Sequence, residues 1–284
     1  MNDLTNKLDE MLLRSQAEVA DNDLYAPIPL KDDCPVCFHP LPIRNDESCY
    51  MYCCGKILCL GCIHSSRANG LKDVCAFCRQ HFARDDDTAN TRLKNRMKHQ
   101  DPRAFFQMAQ QYLIGEVGVE QHAQKALDLL IKAAELGSVE AYAIIAEAYG
   151  IIAAKYQMEM GMGKTRRLLE VSAKKGFYVA HEYLGNIETE DGRVGNAIKH
   201  WAVAASAGSQ YSLDKLMEAY RNSQFSKEGL GQVLRAFQSS NDEMKSKARC
   251  DYRRAKSEGR VNLSQGRTSS VLASFSSIKR QDKK

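Results

Sequence analysis

The stretch that decides the fold runs from Cys34 to Cys78 and contains CPVC (34–37), CCGKILCLGC (53–62) and CAFC (75–78). It holds nine of the chain's ten cysteines, and six of them form three Cys-x2-Cys pairs. Two thiolates at that spacing can turn toward one ion, and zinc takes four such ligands in a tetrahedron. The segment therefore predicts two closed zinc sites, with no open coordination position at which the metal itself would catalyse a reaction.

Metal binding is expected rather than disulfide bonding. The first ten residues, MNDLTNKLDE, are polar and lack the apolar core of a secretory signal, so we expect a reducing, cytoplasmic location. Residues 34–81 also carry too few large apolar side chains to fold by burial alone. Metal binding supplies folding free energy to small modules of this kind.

These motifs resemble a RING-type zinc finger, a small α+β cross-brace in which the ligand pairs interleave along the chain. The resemblance implies two bound zinc ions as cofactors, each held by two cysteine pairs that are distant in sequence. The implied ligands are Cys34, Cys37, Cys59 and Cys62 for one ion and Cys53, Cys54, Cys75 and Cys78 for the other.

The second ligand pair departs from the family pattern. Aligned on Cys54, the pattern places a histidine ligand where this chain has Lys56, and a protonated lysine cannot bind zinc. Either Cys53 and Cys54 both ligate, with Gly55 permitting the necessary kink, or Cys49 serves with one of them. We favour Cys53 with Cys54. The segment's three histidines are expected on solvated loops: His39, His64 and His81.

The resemblance also implies an activity. RING fingers act as ubiquitin ligases by docking a ubiquitin-conjugating enzyme and holding its thioester in a reactive pose, without a covalent intermediate of their own. Val36 matches the apolar docking position of the family, and Arg79 matches an arginine that bridges the conjugating enzyme and ubiquitin. The chain departs from the family at Ala76, where proline is common, and in lacking a large aromatic residue on the helix after Cys62. A non-enzymatic adaptor with a purely structural finger is therefore the alternative.

A helical array follows the finger. AAELG ending at Gly137 recurs as SAKKG at Gly176 and ASAG at Gly208, at spacings of 39 and 32 residues. Each glycine fits the left-handed position that ends a helix. The array resembles Sel-1-like repeats, which are relatives of tetratricopeptide repeats, and this implies an all-α solenoid that binds a protein or peptide. The residues that carry the resemblance are Ala104, Gly115, Gly118, Val119, Lys125 and Ala126 in the first unit and Ala180, Leu184, Gly185, Asn196 and Ala197 in the third.

The motif GMGKT (161–165) is similar to the end of a phosphate-binding loop. Such a loop requires glycine where this chain has Met158, and no apolar strand precedes the motif. We therefore place 161–165 in the loop between the two helices of the second repeat and expect no nucleotide site.

Charge is distributed unevenly along the chain. Residues 245–284 carry twelve basic and three acidic side chains, which leaves the rest of this chain of net charge +5 mildly acidic. We read the tail as solubilising and expect no nucleic-acid partner, although RRAK and KRQDKK are compatible with nuclear import. No apolar run reaches the length of a membrane span.

The sequence divides into an N-terminal helix and loop (1–33), the finger (34–81), a linker (82–100), three repeats plus a degenerate one (101–238) and a basic tail, partly helical and then disordered (239–284).

Overall fold

The computed structural model describes residues 2–29, 32–156 and 159–261, and in this part of the chain the fold is mostly helical. A single two-stranded sheet is present among these residues, formed by β1 (Ser48–Met51) and β2 (Lys56–Cys59). The helices are α1 (Asn2–Glu18), α2 (Leu60–Ala68), α3 (Asp86–Lys98), α4 (Pro102–Ile114), α5 (Ala123–Glu135), α6 (Val139–Tyr156), α7 (Glu159–Lys174), α8 (Tyr178–Glu190), α9 (Val194–Ser206), α10 (Gln210–Arg221), α11 (Lys227–Glu243) and α12 (Lys247–Ser257).

The chain forms two compact units, neither of which is continuous in sequence. The repeat unit consists of Met1–Leu30 and Leu130–Asp242, and the finger unit consists of Lys31–Leu129 and Glu243–Lys284. Within the described residues, none of the helices combines the length and apolar character needed to cross a bilayer.

The repeat unit is built from helices that pack in sequence order. Helices α6 to α10 each pack on the next one, and α1 packs on α7. Gly137, Gly176 and Gly208 have φ values of 98°, 89° and 109°, which confirms the prediction that they end helices in the left-handed conformation. The regular turns bring successive helices into register, so that alanines and leucines on their inner faces are buried.

The N-terminal helix belongs to this unit. Leu8, Met11 and Leu12 of α1 are buried, and the Ser15 hydroxyl lies 2.6 Å from that of Tyr142. A helix was predicted within residues 1–33, but only the fold shows that it packs on α7 of the repeat unit.

Two sequence-based expectations need correction or completion. Residues 161–165, expected in a loop, lie inside α7, because the helix begins at Glu159 and continues through the motif. The segment 82–100, expected to be a linker, contains α3 (Asp86–Lys98), whose N-cap Asp85 accepts a hydrogen bond of 2.6 Å from the Thr88 amide. Disorder was predicted for residues 257–284 of the basic tail. Ser257 belongs to α12, and residues 262–284 lie outside the described residues.

Trp201 packs directly on a helical glycine. A Cβ atom on Gly185 of α8 would lie 2.3 Å from the Trp201 Nε1 atom, and Trp201 is buried. The missing side chain is therefore what lets the indole of α9 fit against the backbone of α8.

We expect Gly185→Ala to destabilise the repeat unit even though alanine favours helix formation. The added methyl group would displace the indole, and overpacking of this kind costs about 1–3 kcal/mol. Thermal unfolding followed by circular dichroism measures the change. Gly195→Ala is the matched control because its Cβ would meet no atom within 4 Å, and an equal loss of stability in both variants would contradict the packing argument.

A buried histidine pair joins the same two helices. The Nδ1 atoms of His181 and His200 lie 3.0 Å apart, so one ring donates its N–H to the other, and the Tyr25 ring contacts His200 at an interplanar angle of 48°. Burial, followed by the charge of the neighbouring histidine, lowers the pKa of His181 to about 3, and burial lowers that of His200 to about 4. Both rings are therefore neutral at neutral pH.

This pair should make the repeat unit sensitive to acid. Between the folded pKa values and the ordinary value of 6.5, the unfolded chain binds protons that the folded chain does not, so the free energy of unfolding falls as pH decreases. One such histidine contributes about 2 kcal/mol of this loss between pH 7 and pH 5. We expect His181→Asn to flatten the pH dependence of the unfolding midpoint, whereas His99→Asn, an exposed site, should leave it unchanged.

Candidate metal centre

The first Cys-x2-Cys pair lies on a tight loop that we call knuckle 1 (residues 33–41). The Cys34 amide donates to the His39 carbonyl at 2.9 Å, and the Phe38 amide donates to the Cys34 carbonyl at 2.8 Å. Phe38 adopts a left-handed φ of 54°, which reverses the chain directly after Cys37. The backbone thus turns both sulfur-bearing residues toward the same side of the loop.

The last pair repeats this arrangement 41 positions later, in knuckle 2 (residues 74–82). The Cys75 amide donates to the Gln80 carbonyl at 2.8 Å, and the Arg79 amide donates to the Cys75 carbonyl at 3.0 Å. Arg79 has a φ of 64°, as Phe38 has in knuckle 1. An isolated antiparallel bridge closes each loop, Asp33 with Pro40 and Val74 with His81.

The two remaining ligand pairs come from the hairpin and the helix after it. Cys53 and Cys54 lie in the turn between β1 and β2, where Gly55 has a φ of 71° and its amide donates to the Met51 carbonyl at 2.8 Å. The predicted kink at Gly55 is therefore present. At the end of β2, the Cys59 sulfur caps α2 by accepting a bond of 3.4 Å from the Cys62 amide.

These four local structures bring eight sulfur atoms into two groups of four. Within each group all the sulfur atoms lie within 4.8 Å of one another, so each group can hold a metal ion. Most of the first group is buried, whereas the second is mainly half-buried. The first group is Cys34, Cys37, Cys59 and Cys62, and the second is Cys53, Cys54, Cys75 and Cys78.

The chemistry of the donors fits a thiophilic cation such as zinc. Four thiols packed together cannot all ionise without a positive charge among them. In the first group, hydrogen bonding to Cys59 and Cys62 lowers the pKa of the Cys34 thiol, whereas hydrogen bonding to Cys34 and Cys59 raises that of Cys62. In the second group, burial raises the pKa of the Cys54 thiol to about 11. A divalent ion would stabilise the thiolates, while hard cations prefer oxygen ligands over this all-sulfur set.

The other candidate ligands lie elsewhere. Cys49 is on β1 opposite Leu58, its sulfur lies 3.7 Å from the Tyr50 carbonyl oxygen, and it belongs to neither four-sulfur group of the described residues. The same holds for Cys250, which is exposed on α12. The three histidines are also absent from both groups: His39, His64 and His81.

The two residues assigned by resemblance to conjugating-enzyme binding lie one on each knuckle. Val36 is half-buried against the apolar cluster around the cysteines, and Arg79 is exposed. The structure adds two exposed aromatic side chains that the sequence reasoning missed, Phe38 at 77% exposure and Phe77 at 43%. The sequence could have indicated Phe38, because it occupies in knuckle 1 the position that Arg79 occupies in knuckle 2.

Helices outside the finger segment brace the second group. The Arg96 guanidinium of α3 donates to the Cys53 carbonyl at 2.9 Å, and the Tyr50 hydroxyl donates to Asp101, the N-cap of α4, at 2.5 Å. Leu93 and Met108 are buried between α3 and α4 and contact the tyrosines of the hairpin region. The folded finger unit therefore includes more than the cysteine-rich segment.

The fold and the site together define a helical-repeat protein with two four-cysteine groups. No protein-family model matches the chain, and comparison with curated proteins gives no match. Among solved structures, a Sel1 repeat protein from Oxalobacter formigenes matches 56% of this chain and 63% of its own, with 21% identity and a TM-score of 0.43. A protective antigen of uropathogenic Escherichia coli with an SLR fold matches 69% of this chain and 47% of its own, with 16% identity and a TM-score of 0.42. The chain thus spans less than two thirds of the length of either protein.

We expect the purified, reduced protein to contain about two zinc ions per chain, because two closed four-thiolate sites are available. Strong chelation should remove both ions and make residues 34–81 sensitive to protease, since the ions supply folding free energy to the segment. Elemental analysis and limited proteolysis measure the two effects. A metal-free preparation whose cysteine-rich segment still resists protease would contradict the metal assignment.

Proposed function

We propose that this protein is a zinc-dependent ubiquitin ligase of the RING type, in which residues 34–81 dock a ubiquitin-conjugating enzyme and residues 101–238 bind the protein to be modified. The observation that carries the proposal is the interleaving of the two sulfur groups. Cys34 and Cys37 form one group with Cys59 and Cys62. The pair that lies between them in sequence, Cys53 and Cys54, forms the other group with Cys75 and Cys78. This is the ligand order that the RING resemblance implies.

In this proposal the metal ions have a structural role, and the ligase accelerates ubiquitin transfer by positioning the thioester of the conjugating enzyme. The ions would fix the two knuckles relative to the hairpin, so that a docked conjugating enzyme meets a preformed surface. Holding the reactive thioester in one pose lowers the entropic part of the barrier without any covalent step on the ligase.

Side chains suited to such docking are present on both knuckles. Val36 offers apolar surface, and the exposed rings of Phe38 and Phe77 add to it. The Arg79 guanidinium is exposed and offers several donors in one plane, which suits a bridge to carbonyl groups of ubiquitin or of the conjugating enzyme.

The repeat array would supply the binding arm for the protein that is modified. Large apolar side chains remain exposed on two consecutive helices, α10 and α11, and exposed apolar groups of this kind often mark protein contacts. These residues are Tyr211, Met217 and Tyr220 on α10 and Leu234 on α11.

One observation favours the alternative, a non-enzymatic adaptor. Helix α2, with the sequence LGCIHSSRA, carries no phenylalanine, tyrosine or tryptophan, and Ile63 is buried rather than available for docking. In the adaptor the finger would hold its part of the fold, and the repeats would assemble protein partners without ubiquitin transfer.

Reconstitution with ubiquitin, activating enzyme and a panel of conjugating enzymes distinguishes the two functions. We expect the wild type to form ubiquitin chains and Cys75→Ala to form none, because it loses a buried metal ligand. Arg79→Ala should reduce the rate about tenfold, which corresponds to about 1.4 kcal/mol of lost transition-state stabilisation. Gel analysis of chain formation over time measures the rates.

Arg84→Ala is the matched control, since Arg84 is also an exposed arginine but follows knuckle 2 instead of lying on it. Chains that form equally with the wild type, Arg79→Ala and Cys75→Ala would rule out the ligase. A metal-loaded wild type that forms no chains with any conjugating enzyme would favour the adaptor.

A further inference from the structure

The C-terminal helix α12 is part of the finger unit and packs on α2. A Cβ atom on Gly61 of α2 would lie only 2.6 Å from the Arg249 amide nitrogen and 2.7 Å from the Ala248 carbonyl carbon. The two helices are therefore in backbone contact at this point. Helix α12 thus lies against the helix that carries Cys62.

Apolar packing and ion pairs extend this contact. Tyr252 is buried in the same apolar cluster as Cys34, Cys59 and Cys75. Along the edge of the helix, Arg253 bonds Glu47 at 2.6 and 2.9 Å. Nearby, Lys256 bonds Asp46 at 3.2 Å. Helix α12 is docked along its length, although about 170 residues separate it from the cysteine-rich segment.

Arg249 is the largest fully buried side chain among the described residues. Its Nη1 donates to the carbonyl oxygens of Pro40 at 2.7 Å and Met244 at 2.5 Å. Its Nη2 donates to the His39 carbonyl at 3.3 Å and to the Cys37 sulfur at 3.6 Å. The guanidinium therefore spans knuckle 1 and contacts a sulfur of the first group.

The charge of Arg249 requires compensation. The guanidinium bonds three carbonyl oxygens and the Cys37 sulfur, and none of these described partners is a carboxylate. A buried charge without an opposite charge is costly in free energy. Four thiolates around a divalent cation carry a net charge of −2, so a metal-loaded first group would supply the missing negative charge.

We propose that Arg249 is a positioning residue of the first four-cysteine site, which couples metal binding at that site to the docking of α12. This inference rests on the metal binding proposed above. Because such coupling is reciprocal, a metal at Cys37 stabilises the docked helix, and the docked helix strengthens metal binding. Loss of the metal from the first site releases α12 from the finger.

The second site is not coupled in this way. Its nearby arginine, Arg96, comes from α3 and donates to a backbone carbonyl instead of a sulfur. Cys37 and Cys78 hold the same position in the two knuckles, and both are half-buried. They therefore form a matched pair for separating the effects of the two sites.

The first experiment measures hydrogen exchange of the α12 amides in the zinc-loaded full chain. We expect Cys37→Ser to remove the protection of residues 250–257, because it weakens the site that Arg249 contacts. Cys78→Ser should leave that protection close to that of the wild type. Equal loss in the two variants would overturn the proposal, because it would show that α12 responds to unfolding of the whole finger.

The second experiment measures zinc release to a chelator that reports the freed ion. Loss of an outer partner of a metal ligand typically weakens binding about 10- to 100-fold. We expect Arg249→Met to release one of the two ions faster by a factor in that range, with Arg249→Lys between it and the wild type. Arg254→Met, which changes an exposed arginine of the same helix, should release both ions at nearly the wild-type rate.

Gly61→Ala keeps the Arg249 charge and displaces α12 by its added methyl group, so it tests the coupling even if Arg249→Met does not fold. It should also speed the release of one ion. Release of both ions at the wild-type rate from Gly61→Ala and Arg249→Met would overturn the coupling while leaving the zinc finger intact. A wild type without metal would overturn both proposals, whereas a metal-loaded protein without ligase activity would overturn only the ligase.

Discussion

Eight sulfur atoms must meet in two groups of four, and the pairs that form each group alternate along the chain. The stretch between the two pairs of each group contains a pair that belongs to the other group, so the two loops overlap in sequence. Closing one group therefore restricts the chain that must close the other. This constraint explains how the cysteine-rich segment can hold one arrangement with a two-stranded sheet and one short helix.

Contacts to the cysteine groups also come from helices outside the cysteine-rich segment. Helix α3 brings Arg96 to the backbone of Cys53, and α12 brings Arg249 to the sulfur of Cys37. One of these helices follows the finger closely in sequence, and the other returns from the far end of the chain. Both present a guanidinium, a group whose planar set of donors can bond several carbonyl groups and a sulfur at once.

The repeat unit depends on a different physical principle, in which a small residue on one helix leaves room for a large side chain of the next helix. Gly185 admits the indole of Trp201, and His181 and His200 satisfy each other inside the same helix pair. The histidine pair is stable because burial keeps both rings neutral, so that one can donate and the other accept. Buried polar contacts of this kind fix one register between the helices.

Local sequence determined the parts of this protein that depend on neighbouring residues. The Cys-x2-Cys spacing predicts the knuckles, and the glycines at 137, 176 and 208 predict helix ends, because backbone conformation within a few residues decides both. Local rules left open which of Cys49, Cys53 and Cys54 would join the second group. The tertiary structure decided this, since Cys49 follows the regular alternation of β1, whereas the turn at Gly55 lets the adjacent cysteines face the same group. Tertiary structure also decided the place of Arg249, because its contacts with knuckle 1 join residues about 210 positions apart and carry no signature in the spacing of residues along the chain.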